Sequence, residues 1–122
     1  MNLIYLASPY SKYPGGRQEA YDIVCKKAAE LMLEGHKIFC PIAHSHAIEQ
    51  HMSDIQDGEF WLEQDFAVLY NCNALYVYQM PGWQDSVGVI REIAFAHQFR
   101  IPVTHIEWKP VQLEINYELP QS

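Results

Sequence analysis

Ala74-Leu75-Tyr76-Val77-Tyr78 is an apolar run rich in β-branched and aromatic residues, and it reads as a buried strand. Past a turn comes Gly82-Trp83-Gln84-Asp85-Ser86-Val87-Gly88-Val89-Ile90-Arg91-Glu92-Ile93-Ala94-Phe95-Ala96, which becomes a helix carrying one carboxylate, Glu92, among apolar neighbours. Gly82, Ser86 and Gly88 let backbone N–H groups approach a ligand where that helix begins. A helix N-terminus attracts anions, so the turn suits a phosphate. One or two helical turns on, Glu92 is within reach of the same ligand.

The rest of the chain repeats this strand-to-helix pattern. Leu3 to Ala7 is a continuous apolar run and reads as a first buried strand, broken by the loop Ser8 to Gly16. Arg17 to Glu34 reads as a helix, with Ala20, Ile23/Val24, Lys27/Ala28 and Leu31 on its buried side and Gly35 as its C-terminal cap. His36 to Cys40 is a second strand stopped by Pro41. Ile42 to Gly58 is polar and His-rich, and reads as a loop with a short helix near Ser45 to His51. Glu59 to Tyr70 is a helix, Asn73 to Tyr78 the third strand, Ser86 to Phe99 a helix, and Pro102 to Ile106 a fourth strand. The tail from Glu107 to Ser122 alternates apolar residues between Pro110 and Pro120, the pattern of an edge strand or of an arm wrapping a neighbour.

Strands alternating with helices imply a parallel sheet of four or five strands covered on both faces. Ligands of such sheets sit outside the C-terminal strand ends, where the strand order switches. Three loops therefore converge: Ser8 to Gly16, Pro41 to Gly58, and Gln79 to Gly88.

Composition narrows the function. With 122 residues the expectation is one domain spanning 1–122, and 49% hydrophobic content supplies a core. A formal charge of −7 argues against nucleic-acid polymers, whose phosphates are held mainly by Lys and Arg, but leaves room for a single nucleotide on backbone amides. Three cysteines, Cys25, Cys40 and Cys72, with no C-x-x-C, fit a reducing cytoplasm. The first residues lack the basic region of a signal peptide, and no apolar run is long enough to span a membrane.

Several candidate residues carry two readings each. Ser8, Pro9 and Tyr10, with Arg17 after Gly15-Gly16, form a phosphate or sugar cradle or a plain turn and helix start; the stretch is neither a G-x-G-x-x-G nor a P-loop. His44 and His46 could contact a base or phosphate, or be solvated. The spacing matches no zinc motif, even with Cys40 nearby. Asp65 is either a helix-surface acid or an acid aimed into the pocket. Glu92 is either solvated beside Arg91 or, with Val89, Ile93, Ala96 and Phe99 on its side of the helix, a carboxylate with perturbed chemistry. Tyr10, Tyr13 and Trp83 could stack on a base or simply pack.

Taken together these motifs resemble the nucleoside 2-deoxyribosyltransferase-like superfamily, and within it a phage and bacterial branch. The resemblance runs over roughly residues 3 to 106. It is carried by Ile4 to Ser11, Pro41 to His46, Trp61 to Asp65, Cys72 to Val77 and Gly82 to Glu92. It implies a flavodoxin/Rossmann-like three-layer α/β sandwich. It also implies that Glu92 is the nucleophile, that Tyr5 in strand one orients it, and that Asp65 helps hold the substrate. Transferases of the superfamily carry an aspartate six residues before the nucleophile. Here Ser86 holds that place and the acid, Asp85, is one earlier. A serine there is similar to the 2′-deoxynucleoside 5′-monophosphate N-glycosidases, where it contacts phosphate. Asn73 replaces a strand-three acid remote from the chemistry.

The resemblance thus implies an N-glycosidase or related deoxyribosyltransferase that needs no metal or cofactor and acts on a small-molecule nucleoside or nucleotide. Glu92 attacks the anomeric carbon, Asp65 or Asp85 assists the leaving base, and Ser86, Gly88 and the Ser8 loop hold a 5′-phosphate. It further implies a homodimer or higher homo-oligomer. The rival is a non-catalytic nucleotide sensor on the same fold, favoured by a solvent-facing Glu92; a structural phage protein is a third reading.

Overall fold

The computed structural model describes residues 2–110. Strands β1 (Leu3–Ala7), β2 (Lys37–Phe39), β3 (Ala74–Tyr78) and β4 (Val103–Ile106) form one sheet in the order β2-β1-β3-β4. Every pair is parallel, with Tyr5 opposite both Phe39 and Leu75, and Val77 opposite His105. The helices are α1 (Arg17–Leu33), α2 (Pro41–Glu49), α3 (Gly58–Leu69) and α4 (Val87–Gln98). The sheet has four strands, the lower of the two expected numbers. The tail reading falls mostly on residues 111–122, which lie outside the described residues; Glu107 to Pro110 form no strand.

Alternation along the strands builds three layers. Tyr5, Ala7, Leu75 and Val77 face one way and pack with Leu69 of α3 and Val89 and Ala96 of α4. Leu6 and Tyr78 face the other way and pack with Ala20, Val24, Ala28 and Leu31 of α1. Helix α1 ends as its sequence reads. Gly35 adopts φ 102°, Gly35 N–H bonds to Met32 C=O, and His36 N–H bonds to Leu31 C=O, closing the last turn.

The largest departure from the sequence reading is α2. The expectation is a loop with a short helix near Ser45 to His51, yet the helix begins at Pro41, directly after β2. Proline stops a strand, but its fixed φ also suits the first helical position, where no N–H is needed. Cys40 stays extended and Pro41 opens the helix. Elsewhere the expected elements shift by a residue or so at their ends. Asp57 caps α3 by accepting from Phe60 N–H at 3.0 Å, and Ser86 caps α4 by accepting from Val89 N–H at 3.3 Å.

The order reverses between β1 and β3, since β1 is followed by α1 on one face and β3 by α4 on the other. This opens a crevice at their C-terminal ends. Gly82, at φ 94°, holds its rim shut: a Cβ there would collide with the Lys12 carbonyl, so the loops after β1 and β3 meet backbone to backbone.

Candidate functional site

A cleft of about 330 Å³ lies at this switch point. Its floor is Glu92, two turns into α4 and 5% exposed. The period of the helix puts Val89, Glu92 and Ala96 on one buried stripe, so the carboxylate faces the sheet rather than water. Phe99, read from the sequence as sharing that side, is 43% exposed. Below Glu92 stands Tyr5, with no exposed surface, whose hydroxyl donates to Glu92 Oε2.

Burial dominates the electrostatics of this pair. It pushes the Glu92 carboxyl up to about 8, against the pull of the Tyr5 hydrogen bond and with a further push from the charge of Asp65. Tyr5 is raised well above 10, chiefly by burial and then by the negative charges of Glu92 and Asp65. Asp65, half-buried on α3, is raised to about 6 by burial alone. Two carboxyls thus face one cleft with different proton affinities, the deeper one, Glu92, holding its proton to higher pH than Asp65.

Of the residues singled out from the sequence, Ser8, Tyr10, Arg17 and His46 line the same cleft as Asp65, Ser86, Gly88 and Glu92. Three do not. Pro9 is fully buried beneath the loop, Asp85 is exposed on a short 3₁₀ turn (Trp83–Asp85), and His44 lies at a ring distance of 5.6 Å from Phe39. Periodicity explains His44: once Pro41 opens the helix, Ile42, Ser45, His46 and Glu49 turn to the cleft and His44 turns away. Ser45 and Glu49 escaped the sequence reading for that reason. Lys12 and the apolar wall of Ile42, Trp61 and Leu62 also line the cleft. Among the loop aromatics, Tyr10 faces the cleft, Tyr13 is buried with its hydroxyl on Glu19, and Trp83 packs on His105.

Ser8 stands out: its Oγ is buried at the cleft wall and has no hydrogen-bond partner among the described residues. A buried hydroxyl is rarely left so, which marks a place for a ligand atom or water. Asn73 is remote from the cleft, as expected; its Oδ1 accepts from Leu3 N–H at 2.7 Å and ties down the start of β1. Among the described residues, no group of three His, Cys, Asp or Glu side chains is placed to hold a metal ion, and no helix is long and apolar enough to cross a membrane.

Fold and cleft define a three-layer α/β protein with an all-parallel sheet and a buried carboxylate at the switch point. By sequence the chain belongs to the family described as a domain of unknown function (DUF1937), whose model matches residues 2–108. No curated protein matches it in sequence. Among solved structures, a 2-deoxyribosyltransferase from the psychrotolerant bacterium Bacillus psychrosaccharolyticus has a similar fold. The TM-score is 0.59 at 17% identity, over 96% of this chain and 93% of that one. At that identity the likeness is one of fold.

Proposed function

We propose that the protein cleaves the base–sugar bond of a (deoxy)nucleoside 5′-monophosphate through a covalent glycosyl–Glu92 intermediate, or performs the related deoxyribosyl transfer. The observation that carries this reading is the buried Tyr5–Glu92 pair on the cleft floor. A surface glutamate would need no such partner, and a carboxylate held by one hydrogen bond keeps a lone pair for attack.

In the first step Glu92 Oε bonds to the anomeric carbon while the carbon–nitrogen bond breaks. The bonding pair leaves with the base, which takes a proton from the Asp65 carboxyl. In the second step water attacks the same carbon, its proton passes to Asp65, and the ester to Glu92 breaks. The products are free base and sugar 5-phosphate, with both carboxyls restored. When a second base attacks in place of water, the outcome is transfer. Tyr5 holds the Glu92 carboxylate in one orientation and draws on its negative charge.

The N–H groups at the start of α4, the Ser86 and Ser8 hydroxyls and Arg17 supply the phosphate contacts in this reading. Ser86 uses an Oγ lone pair to cap α4, which leaves its proton free to donate. Trp61, Leu62 and Ile42 give the base an apolar wall. The protein acts as a homodimer or higher homo-oligomer in the cytoplasm, with α3 or α4 at the interface. Val87 and Ile90 leave an apolar stripe that begins at the cleft mouth, 62% and 51% exposed.

The test is a panel of nucleosides and 5′-monophosphates, ribose and deoxyribose, with released base measured by chromatography. Base release from monophosphates ahead of nucleosides supports the reading. Binding without release from any member overturns it in favour of a nucleotide sensor.

A further inference from the structure

Three aromatic rings from three elements meet at one wall of the cleft. Tyr10 comes from the loop after β1, Tyr21 from α1 and His46 from α2. The Tyr10 hydroxyl lies 2.6 Å from His46 Nδ1, and the Tyr21 ring stacks on the imidazole at 4.0 Å with planes 17° apart. The Arg17 guanidinium lies 5.2 Å from the centre of the Tyr10 ring. Tyr10, Arg17 and His46 all line the cleft, whereas Tyr21 stands behind His46.

This arrangement engages Nδ1 of His46 and leaves Nε2 without a partner among the described residues. The Tyr10 hydroxyl has no other hydrogen-bond partner among the described residues, and donation of its proton to Nδ1 is the direction that leaves the imidazole a proton to offer the cleft. A neutral imidazole accepting at Nδ1 carries its own proton at Nε2. The stacked Tyr21 ring prevents the imidazole from turning over. His46 is thereby a donor with one orientation.

We propose that Tyr10 and Tyr21 are positioning residues that fix His46 as the Nε2–H tautomer, offered to a phosphoryl oxygen of the substrate beside Arg17. The inference rests on the nucleotide reading of this cleft and names which groups read the phosphate. The cleft's two cations, Lys12 and Arg17, come from the same stretch leading from β1 into α1 as Tyr10, whereas its carboxyls, Glu49, Glu59, Asp65 and Glu92, all come from α2, α3 and α4. The positive charge a phosphate needs is therefore supplied beside Tyr10. The unpartnered Ser8 hydroxyl belongs to the same loop as Tyr10 and adds a second donor without a mate.

The experiment follows the His46 ring nitrogens by long-range proton–nitrogen NMR in the full chain. Inorganic phosphate, a 2′-deoxynucleoside 5′-monophosphate and its free nucleoside are each titrated. The wild type should show one neutral tautomer, protonated at Nε2, that responds to phosphate and monophosphate and not to the nucleoside. Tyr10→Phe should mix the tautomers and weaken monophosphate binding about tenfold, the cost of one hydrogen bond to a charged group, with nucleoside binding unchanged. His46→Gln, which keeps a donor, should retain more monophosphate affinity than His46→Leu. An Nδ1–H or mixed tautomer in the wild type, an equal response to nucleoside and monophosphate, or undiminished binding by Tyr10→Phe would each overturn the proposal. No turnover is needed, so failure of the glycosidase reading is seen separately, in the base-release panel.

Discussion

The Tyr5 hydroxyl donates to the Glu92 carboxyl across 87 positions of sequence, from β1, one of the two central strands of the sheet, to the inner face of α4. Neither side chain has another hydrogen-bond partner among the described residues, and both are buried. One hydrogen bond only partly offsets the cost of burying a charge, so the carboxyl sits at about 8 and carries its proton over most of the neutral range.

The first prediction concerns the pH dependence of base release. Attack needs Glu92 ionised, and assistance to the leaving base needs Asp65 protonated. With Asp65 at about 6 and Glu92 at about 8, kcat/KM rises through the lower value, holds between them and falls above the higher. Asp65→Asn lowers the rate and removes the alkaline fall. Its profile climbs only through the Glu92 ionisation, slightly below the wild-type position because the charge of Asp65 no longer opposes it. A profile of Asp65→Asn that still falls at alkaline pH contradicts this assignment.

Stability should run the other way. The folded-state carboxyl of Glu92 lies above its unfolded value, so the unfolded chain loses its proton first. The contribution to stability is complete below about pH 4 and is lost as pH rises through about 8, at roughly 1.4 kcal/mol per pH unit within that window. Glu92→Gln has no such loss. Its melting temperature should equal or trail that of the wild type at pH 5 and exceed it at pH 9. Parallel curves for the two proteins across that range would show that Glu92 is not buried in solution.

Ser86 serves both helix and ligand. Ser86→Ala removes the cap of α4, at a cost of about 1 kcal/mol. It should also raise KM for 5′-monophosphates more than for free nucleosides, because only the former present a phosphate to that turn. An equal rise for both substrates would place the phosphate elsewhere in the cleft.

Gly82 holds the rim through backbone contact. Gly82→Ala would drive a methyl group into the Lys12 carbonyl at a residue with φ 94°. The expected loss exceeds 1 kcal/mol, accompanied by lower activity as the Ser8 loop moves. Unchanged melting and unchanged base release would refute this.

Assembly is checked by light scattering at micromolar concentration. A dimer or larger species should appear, and Ile90→Asp on the exposed stripe of α4 should shift it toward monomer. A clean monomer of the wild type contradicts the homo-oligomer.

How much of this was legible in the sequence depends on how local each signal is. The four strands and α1, α3 and α4 could be read because apolar runs and helical spacing record burial directly, and Gly35 and Ser86 mark helix ends by their own chemistry. The position of α2 was not, because Pro41 is both a strand stopper and a good first helical residue. That ambiguity hid Ser45 and Glu49 and brought His44 forward in error. Glu92 was open between solvent and core, since Val89 and Ala96 argue for burial while Arg91 beside it argues for water. Only the sheet order settles which side faces Tyr5. Pro9 and Asp85 looked functional from neighbours in sequence, but the loop that carries Ser8 and Tyr10 to the cleft turns Pro9 into the interior, and the 3₁₀ turn leaves Asp85 outside. The Tyr10–His46–Tyr21 cluster had no sequence signal, because its rings come from three separate elements.

The central claim is that Glu92 forms the covalent bond. It is tested most directly by measuring base release from the best substrate of the panel with Glu92→Ala. Loss of the nucleophile should reduce the rate by several orders of magnitude, because the mechanism assigns the bond to the sugar to Glu92 and leaves Asp65 to the departing base, while the fold and nucleotide binding persist. Tyr5→Phe should cost less, since it orients and tunes the carboxylate without bonding to the sugar. Wild-type turnover by Glu92→Ala would contradict the mechanism.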